Sequence, residues 1–243
     1  MNLRQLTSSM IVCAVALFAA GCKDIPAKRE PVSPRPDQVL SFAPLYQQNC
    51  AACHGEQGKN GAAISLANPV YLAVAGAEII QKATANGVPG TLMPAFAKSQ
   101  GGMLTDEQVA VLAKGVETAW ARPGALQGQT TPPYASASSG DPNEGQKAFT
   151  TFCASCHGSD GTGVKQKHNS TGSLVDPAYL ALISDQGLRS LIIAGQPEEG
   201  MPDWRSDIIG AGSRPMTDKE ITDVVAWLAS HRVAAPGQPY ARP

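Results

Sequence analysis

Past a short apolar run near its start, the chain has no stretch in which hydrophobic and polar positions alternate persuasively enough for a half-buried strand. The clear start signals are those of helices. Thr105-x-x-Gln108 and Thr217-x-x-Glu220 read as capping boxes, in which the hydroxyl and the side chain three residues on each satisfy a free backbone donor. Leu104 with Val109, and Met216 with Ile221, stand at the positions of a hydrophobic staple. The pattern predicts an all-α protein.

The two helix starts belong to a larger duplication. Aligning Cys50 with Cys153 lays "CAACHG" (50–55) over "CASCHG" (153–158) and Tyr46 over Phe149. Further on, "NPVYLAV" (68–74) matches "DPAYLAL" (176–182), and "MPAF" (93–96) matches "MPDW" (201–204). The step from Tyr71 to Met93 equals that from Tyr179 to Met201, at 22 residues. Insertions fall in loops, five residues between His157 and Tyr179 and four between Met201 and Thr217. Each unit is expected to hold three or four short helices.

Composition sets the boundaries. "MNLRQLTSSM" carries one positive charge, and "IVCAVALFAAGC" follows as an apolar run that is short for a bilayer span and suits a signal peptide. "FAAGC" resembles a bacterial lipobox, although Ala19 stands where such motifs more often have Leu. Cleavage before Cys22 would leave that thiol as the lipid anchor, with plain secretion as the alternative. The expected organisation is a signal peptide at 1–21, a Pro-rich tether at 22–41, a first domain at 42–122, a linker at 123–140, a second domain at 141–232 and a tail at 233–243. About twenty tether residues at ~3.1 Å each would let the first domain float up to ~60 Å from a membrane. Net charge is −1, so no bulk electrostatic argument points to nucleic acid.

Of six cysteines, Cys13 and Cys22 fall in the leader region; the other four, Cys50, Cys53, Cys153 and Cys156, all sit in the repeated motif. None is left for a structural disulfide, so the four need one explanation. Zinc would require both pairs to converge from separate repeats. A thioredoxin-like site expects a βαβ setting, which is absent. Cys-x-x-Cys-His meets the needs of covalent haem instead: two thiols on one helical turn reach the two vinyl groups, and the next imidazole, His54 or His157, lies beneath the iron. Met93 follows His54 by 39 residues and Met201 follows His157 by 44; each precedes proline and has an aromatic three residues on.

Together these motifs resemble class I c-type cytochromes, twice over, across nearly all of the chain outside leader and tethers. The resemblance implies two tandem cytochrome c domains, each a few short helices around a covalently bound c-type haem. It implies iron ligation by His54 with Met93 and by His157 with Met201, and a role in electron transfer. Gly145 resembles the family's helix-crossing glycine, with Trp227 as its aromatic partner. The first unit has Phe42 where Gly145 stands and Gly115 where Trp227 stands. Large and small partners look exchanged at constant summed volume, so Phe42 is expected over Gly115 and Trp227 over Gly145. His168, in the insertion, and His231, at the end of the last helix, are expected at the surface, and Met103 in loop or core.

With both irons six-coordinate, outer-sphere transfer through an exposed haem edge is the expected chemistry. The picture is a dihaem electron carrier outside the cytoplasm, lipid-anchored on the periplasmic side of a bacterial membrane, serving redox protein partners such as a respiratory complex. A dihaem enzyme of the peroxidase or thiosulfate-oxidising type is the alternative, and a redox-inert assembly module the third. Residues 42–122 carry five charges of each sign, whereas 141–232 carry twelve acids against eight bases. Glu198, Glu199, Asp203 and Asp207 flank Met201, either as a solvated face or as a dock for a basic partner.

Overall fold

Local capping chemistry places each helix in the computed structural model, which describes residues 33–165, 170–205 and 214–233. The expected leader, Cys22, most of the first tether, His168, Asp207 and residues 234–243 lie outside the described residues. Among the described residues there are isolated bridges but no strand, as an all-α fold requires. No described helix is long and apolar enough to cross a membrane.

The first repeat contains α1 (Phe42–Asn49), α2 (Ala51–His54), α3 (Pro69–Asn86) and α4 (Asp106–Trp120). The second contains α5 (Pro142–Phe152), α6 (Ala154–His157), α7 (Pro177–Leu182), α8 (Asp185–Ala194) and α9 (Asp218–Ala229). The difference in number is superficial. Within α3, Gly76 takes φ 67° and ψ 168°, which interrupts the helix where Ser184 separates α7 from α8. Proline at the first helical turn and an Asx cap start α3, α5 and α7 alike. Both capping boxes form in full, at Thr105 and at Thr217. Each cap of this kind contributes about 1 kcal/mol.

The first and last helices of each repeat meet through the expected large-and-small pairs, by different means. A Cβ placed on Gly145 would stand 2.0 Å from the Asp223 carbonyl oxygen and 2.8 Å from Trp227 Cβ, so α5 and α9 touch main chain to main chain. On Gly115 it would stand 2.1 Å from Phe42 Cδ2, so there an aromatic ring fills the gap. Trp120 has no counterpart in the sequence alignment, yet its ring packs on Gly58 as Trp227 packs on the equivalent Gly161. Trp120 also lies edge-on to Tyr46 at 5.1 Å, and Trp227 lies 4.3 Å from Phe149. Such aromatic pairs contribute about 0.5–1.5 kcal/mol beyond their buried area.

The segment between the repeats is bonded along the second one. Arg189, 3% exposed on α8, donates to the carbonyls of Pro133 and Tyr134 and to Thr222, and pairs with Asp218. Gln186 donates to the Tyr134 carbonyl at 2.8 Å, and Arg205 to that of Ala125 at 3.1 Å. The described residues from Asp37 onward fall in one compact unit that includes both repeats. The intervening segment, expected as a linker at 123–140, is thus a belt laid on the fold.

Candidate functional site

Each motif is built at a break between two helices. Cys50 (φ −120°, ψ −36°) ends α1 and starts α2; Cys153 (φ −120°, ψ −30°) does the same between α5 and α6. The backbone N–H of Cys50 donates to the Tyr46 carbonyl at 2.8 Å, and that of Cys153 to the Phe149 carbonyl at 2.8 Å. One turn later His54 N–H reaches the Cys50 carbonyl at 2.9 Å and His157 N–H the Cys153 carbonyl at 3.0 Å. Both cysteines and the histidine of each motif therefore sit on a single helical turn. Gly55 follows at φ 81°, a conformation side chains resist, and a Cβ there would stand 1.8 Å from the Lys59 carbonyl oxygen. That explains the sixth letter of "CAACHG", which the spacing argument left unused.

The electrostatics separate the candidate chemistries. All four cysteines are free. Burial, with Cys53 beside it, pushes the Cys50 thiol up to about 11, and burial with Cys156 pushes Cys153 up to about 12. A redox-active or nucleophilic thiol needs the opposite shift. Among the described residues no three His, Cys, Asp or Glu side chains converge as a metal-binding group, so the two pairs do not make one zinc centre. Burial lowers the pKa of both His54 and His157, keeping the imidazoles neutral. His54 is 7% exposed and Nδ1 lies 2.8 Å from the Ile64 carbonyl. With Nδ1 carrying the proton it donates there, Nε2 is left as the metal-binding nitrogen. His157 Nδ1 is buried with no hydrogen-bond partner among the described residues. Two free thiols and an imidazole on one helical turn, with the His54 ring oriented by Ile64, fit a covalently held haem.

The two methionines occupy matching loops. α3 ends at Gly87 (φ 68°) and α8 at Gly195 (φ 68°). A Cβ on either would collide with the returning strand of the loop, at 2.7 Å from Ala95 N and 2.6 Å from the Pro202 carbonyl. Val88 N–H donates to the Met93 carbonyl at 3.0 Å, and Gln196 N–H to the Met201 carbonyl at 2.9 Å. The aromatic three residues on fixes the far side. Phe96 N–H donates to the Thr84 carbonyl and accepts, through its own carbonyl, from Leu104; Trp204 makes the same pair with Ile193 and Met216. Both loops are pinned between the third helical element and the staple of the last helix. The remaining methionines differ: Met216 is 6% exposed in the core and Met103 is 80% exposed.

The other sequence candidates resolve individually. His231 is half-buried, with its ring edge-on to Trp227 at 4.9 Å and Nδ1 at 2.9 Å from the Trp227 carbonyl, so it is a packing residue and not a surface one. Of the acidic group beside Met201, Asp203 is held by Arg205, with Nη2 at 2.5 Å. Glu198 accepts a hydrogen bond from Ser65 of the first repeat at 3.4 Å. Asp203 serves the fold, Glu198 and Glu199 are exposed, and Asp207 lies outside the described residues.

Comparison with known proteins assigns each repeat. Residues 142–232 match the family described as cytochrome c, and residues 37–114 match that of cytochrome c oxidase, cbb3-type, subunit III. Among curated proteins, none matches the chain. Among solved structures it is similar to a chain of the reducing HAO-like protein complex of Kuenenia stuttgartiensis, at 18% identity and a TM-score of 0.41, over 79% of this chain and 96% of that one.

Proposed function

The chain belongs to the c-type cytochromes, with two cytochrome c domains in tandem and a role in electron transfer, and from that premise we propose that it is a dihaem electron carrier working outside the cytoplasm. Cys50 and Cys53 would hold one haem, with His54 and Met93 as its iron ligands; Cys153 and Cys156 would hold the other, with His157 and Met201. When bound, the haem supplies a one-electron couple, which thioether ligation places at a higher potential than bis-histidine ligation. The protein's own part is to present paired free thiols, to fix the His54 tautomer through Ile64, and to hold both methionine loops at base and flank.

The observation that carries this reading is the twofold recurrence of one backbone bonding pattern, at the Cys-x-x-Cys-His turn and at the methionine loop. The "FAAGC" segment supports export and a lipid on Cys22, on the periplasmic side of the membrane. The cbb3-type subunit III family of the first repeat supports service to a membrane respiratory complex, as a tethered shuttle or as a subunit.

Intact mass of the purified protein tests the cofactor: two covalent haems are expected, and one or none refutes the reading. Ferric protein should show the far-red sulfur-to-iron band from both haems and resist cyanide. A haem that binds cyanide or peroxide readily would indicate the dihaem enzyme instead. Labelling with radioactive palmitate, lost in Cys22→Ser, tests the anchor, and co-purification from detergent-solubilised membranes tests the complex.

A further inference from the structure

Where the repeats meet, the first one grips the base of the second one's methionine loop. Asn68 is 3% exposed and uses both ends of its amide. Its Oδ1 accepts from the N–H groups of Val70 at 2.9 Å and Tyr71 at 3.2 Å, capping α3. Its Nδ2 donates to the carbonyls of Ala194 at 2.9 Å and Gly195 at 3.2 Å, at the end of α8. Helix ends leave such carbonyls without an internal partner. The positive end of α3 thus abuts the negative end of α8, and one amide serves both.

The grip leads directly to Met201. Gly195 is followed by Gln196, whose N–H and C=O both pair with Met201, at 2.9 and 3.0 Å. On the same loop Glu198 accepts from Ser65, three residues before Asn68. The first repeat's loop is secured locally: Thr91 Oγ1 donates to the Val88 carbonyl at 2.8 Å and accepts from Met93 N–H at 3.1 Å, and Leu92 is 78% exposed. At the position equivalent to Asn68 the second repeat has Asp176, which caps α7 but has no N–H to offer. The one-atom difference between "NP" and "DP" matches this asymmetry.

We infer that Asn68 is a positioning residue for Met201: it docks the first repeat onto the base of the Met201 loop, so that methionine ligation in the second repeat depends on the first repeat and not the reverse. The inference rests on the proposed iron ligation by Met93 and Met201.

Asn68→Ser keeps a cap on α3 and loses the reach to Ala194 and Gly195. In full-length Met93→His protein the far-red band reports Met201 alone; in Met201→His protein it reports Met93 alone. The readout is the pH at which that band disappears as another base displaces the thioether. Loss of hydrogen bonds of this type shifts a local opening equilibrium about tenfold. Adding Asn68→Ser to Met93→His is therefore expected to lower that pH by about one unit, and adding it to Met201→His to leave the Met93 band in place. A Met201 band that does not move, or two bands that move equally, overturns the inference. No band at all in Met93→His alone overturns the ligand reading itself, a result distinct from an immobile band. If Asn68→Ser does not fold, hydrogen exchange on the unmodified protein decides. The Gln196 and Met201 amides should be at least about tenfold more protected than the Val88 amide, and equal protection overturns the inference.

Discussion

Replacing Gly145 by alanine puts the main-chain contact between α5 and α9 to a direct test. The added methyl would stand 2.0 Å from the Asp223 carbonyl oxygen and 2.5 Å from its carbon. Ordinary carbon–oxygen contacts lie near ~3.3 Å, so the helices would have to part by roughly 1.3 Å. A gap of that size forfeits about half of each dispersion contact across the interface. Overpacking of this kind costs about 3 kcal/mol where the obstacle is backbone, and alanine's better helix preference returns about 1 kcal/mol. The net loss of about 2 kcal/mol corresponds to a Tm lower by about 4–8 °C for a chain of this size. For Gly115→Ala the nearest obstacle is the Phe42 ring, 2.1 Å away at Cδ2. Phe42→Ala should therefore rescue Gly115→Ala with a coupling of about 1–2 kcal/mol, whereas Trp227→Ala leaves the Asp223 carbonyl in place and should not rescue Gly145→Ala. Thermal and urea unfolding of the full-length haem-loaded proteins, followed by far-UV circular dichroism, measures both cycles. Gly145→Ala within about 0.5 kcal/mol of the parent, or rescue by Trp227→Ala as complete as that by Phe42→Ala, would refute the reasoning.

Three further outcomes are expected. Gly55→Ala should impair haem attachment more than Gly158→Ala, because a Cβ lies 1.8 Å from backbone at Gly55 but 3.1 Å at Gly158; haem staining of the paired variants measures it. Arg189→Met should cost about 2–3 kcal/mol, since it orphans the Pro133 carbonyl and leaves that of Tyr134 to Gln186 alone, and should open residues 123–140 to limited proteolysis while the repeats stay folded. Glu220 is held down at about 2, first by its hydrogen bond to Arg214 and then by the Thr217 cap. Its folded value lies below the unfolded one, so its contribution is complete above the ordinary glutamate range and is lost as pH falls toward 2. Glu220→Gln keeps a capping side chain, as Gln108 does in the first repeat, and should flatten the acid limb of the stability curve; unchanged steepness would count against the pairing.

Much of the fold was legible because its signals are local. Capping boxes, Asx-Pro starts and the Cys-x-x-Cys-His turn each need only neighbouring residues, and each formed where the letters stood. The exchange of Phe42 with Gly115 for Gly145 with Trp227 was also readable, because two aligned repeats expose a change in which summed volume is preserved. What was hidden depends on backbone atoms, which carry no letter. Arg189 binds the carbonyls of Pro133 and Tyr134, so a segment that reads as a linker becomes a bonded belt. Trp120 fills the place of Trp227 from a different turn of its helix, which a column-by-column alignment does not reveal. The acids near Met201 looked like one surface, yet Asp203 is taken by Arg205 and Glu198 faces Ser65. Asn68 stood in the sequence only as the first letter of a repeated segment, because its second set of partners is over 120 residues away.

The belt between the repeats has a kinetic meaning. It is bonded along the second repeat and is not a free hinge, so on the proposed dihaem reading an electron would cross from one repeat to the other without a swing. Such a crossing would proceed over a fixed gap, as a single exponential whose rate ignores glycerol. Loss of Arg189 would loosen the belt, but Asn68 would still bind Ala194 and Gly195 directly, so the exchange should stay indifferent to viscosity; a rate that slowed in step with it would show that the belt alone holds the repeats together.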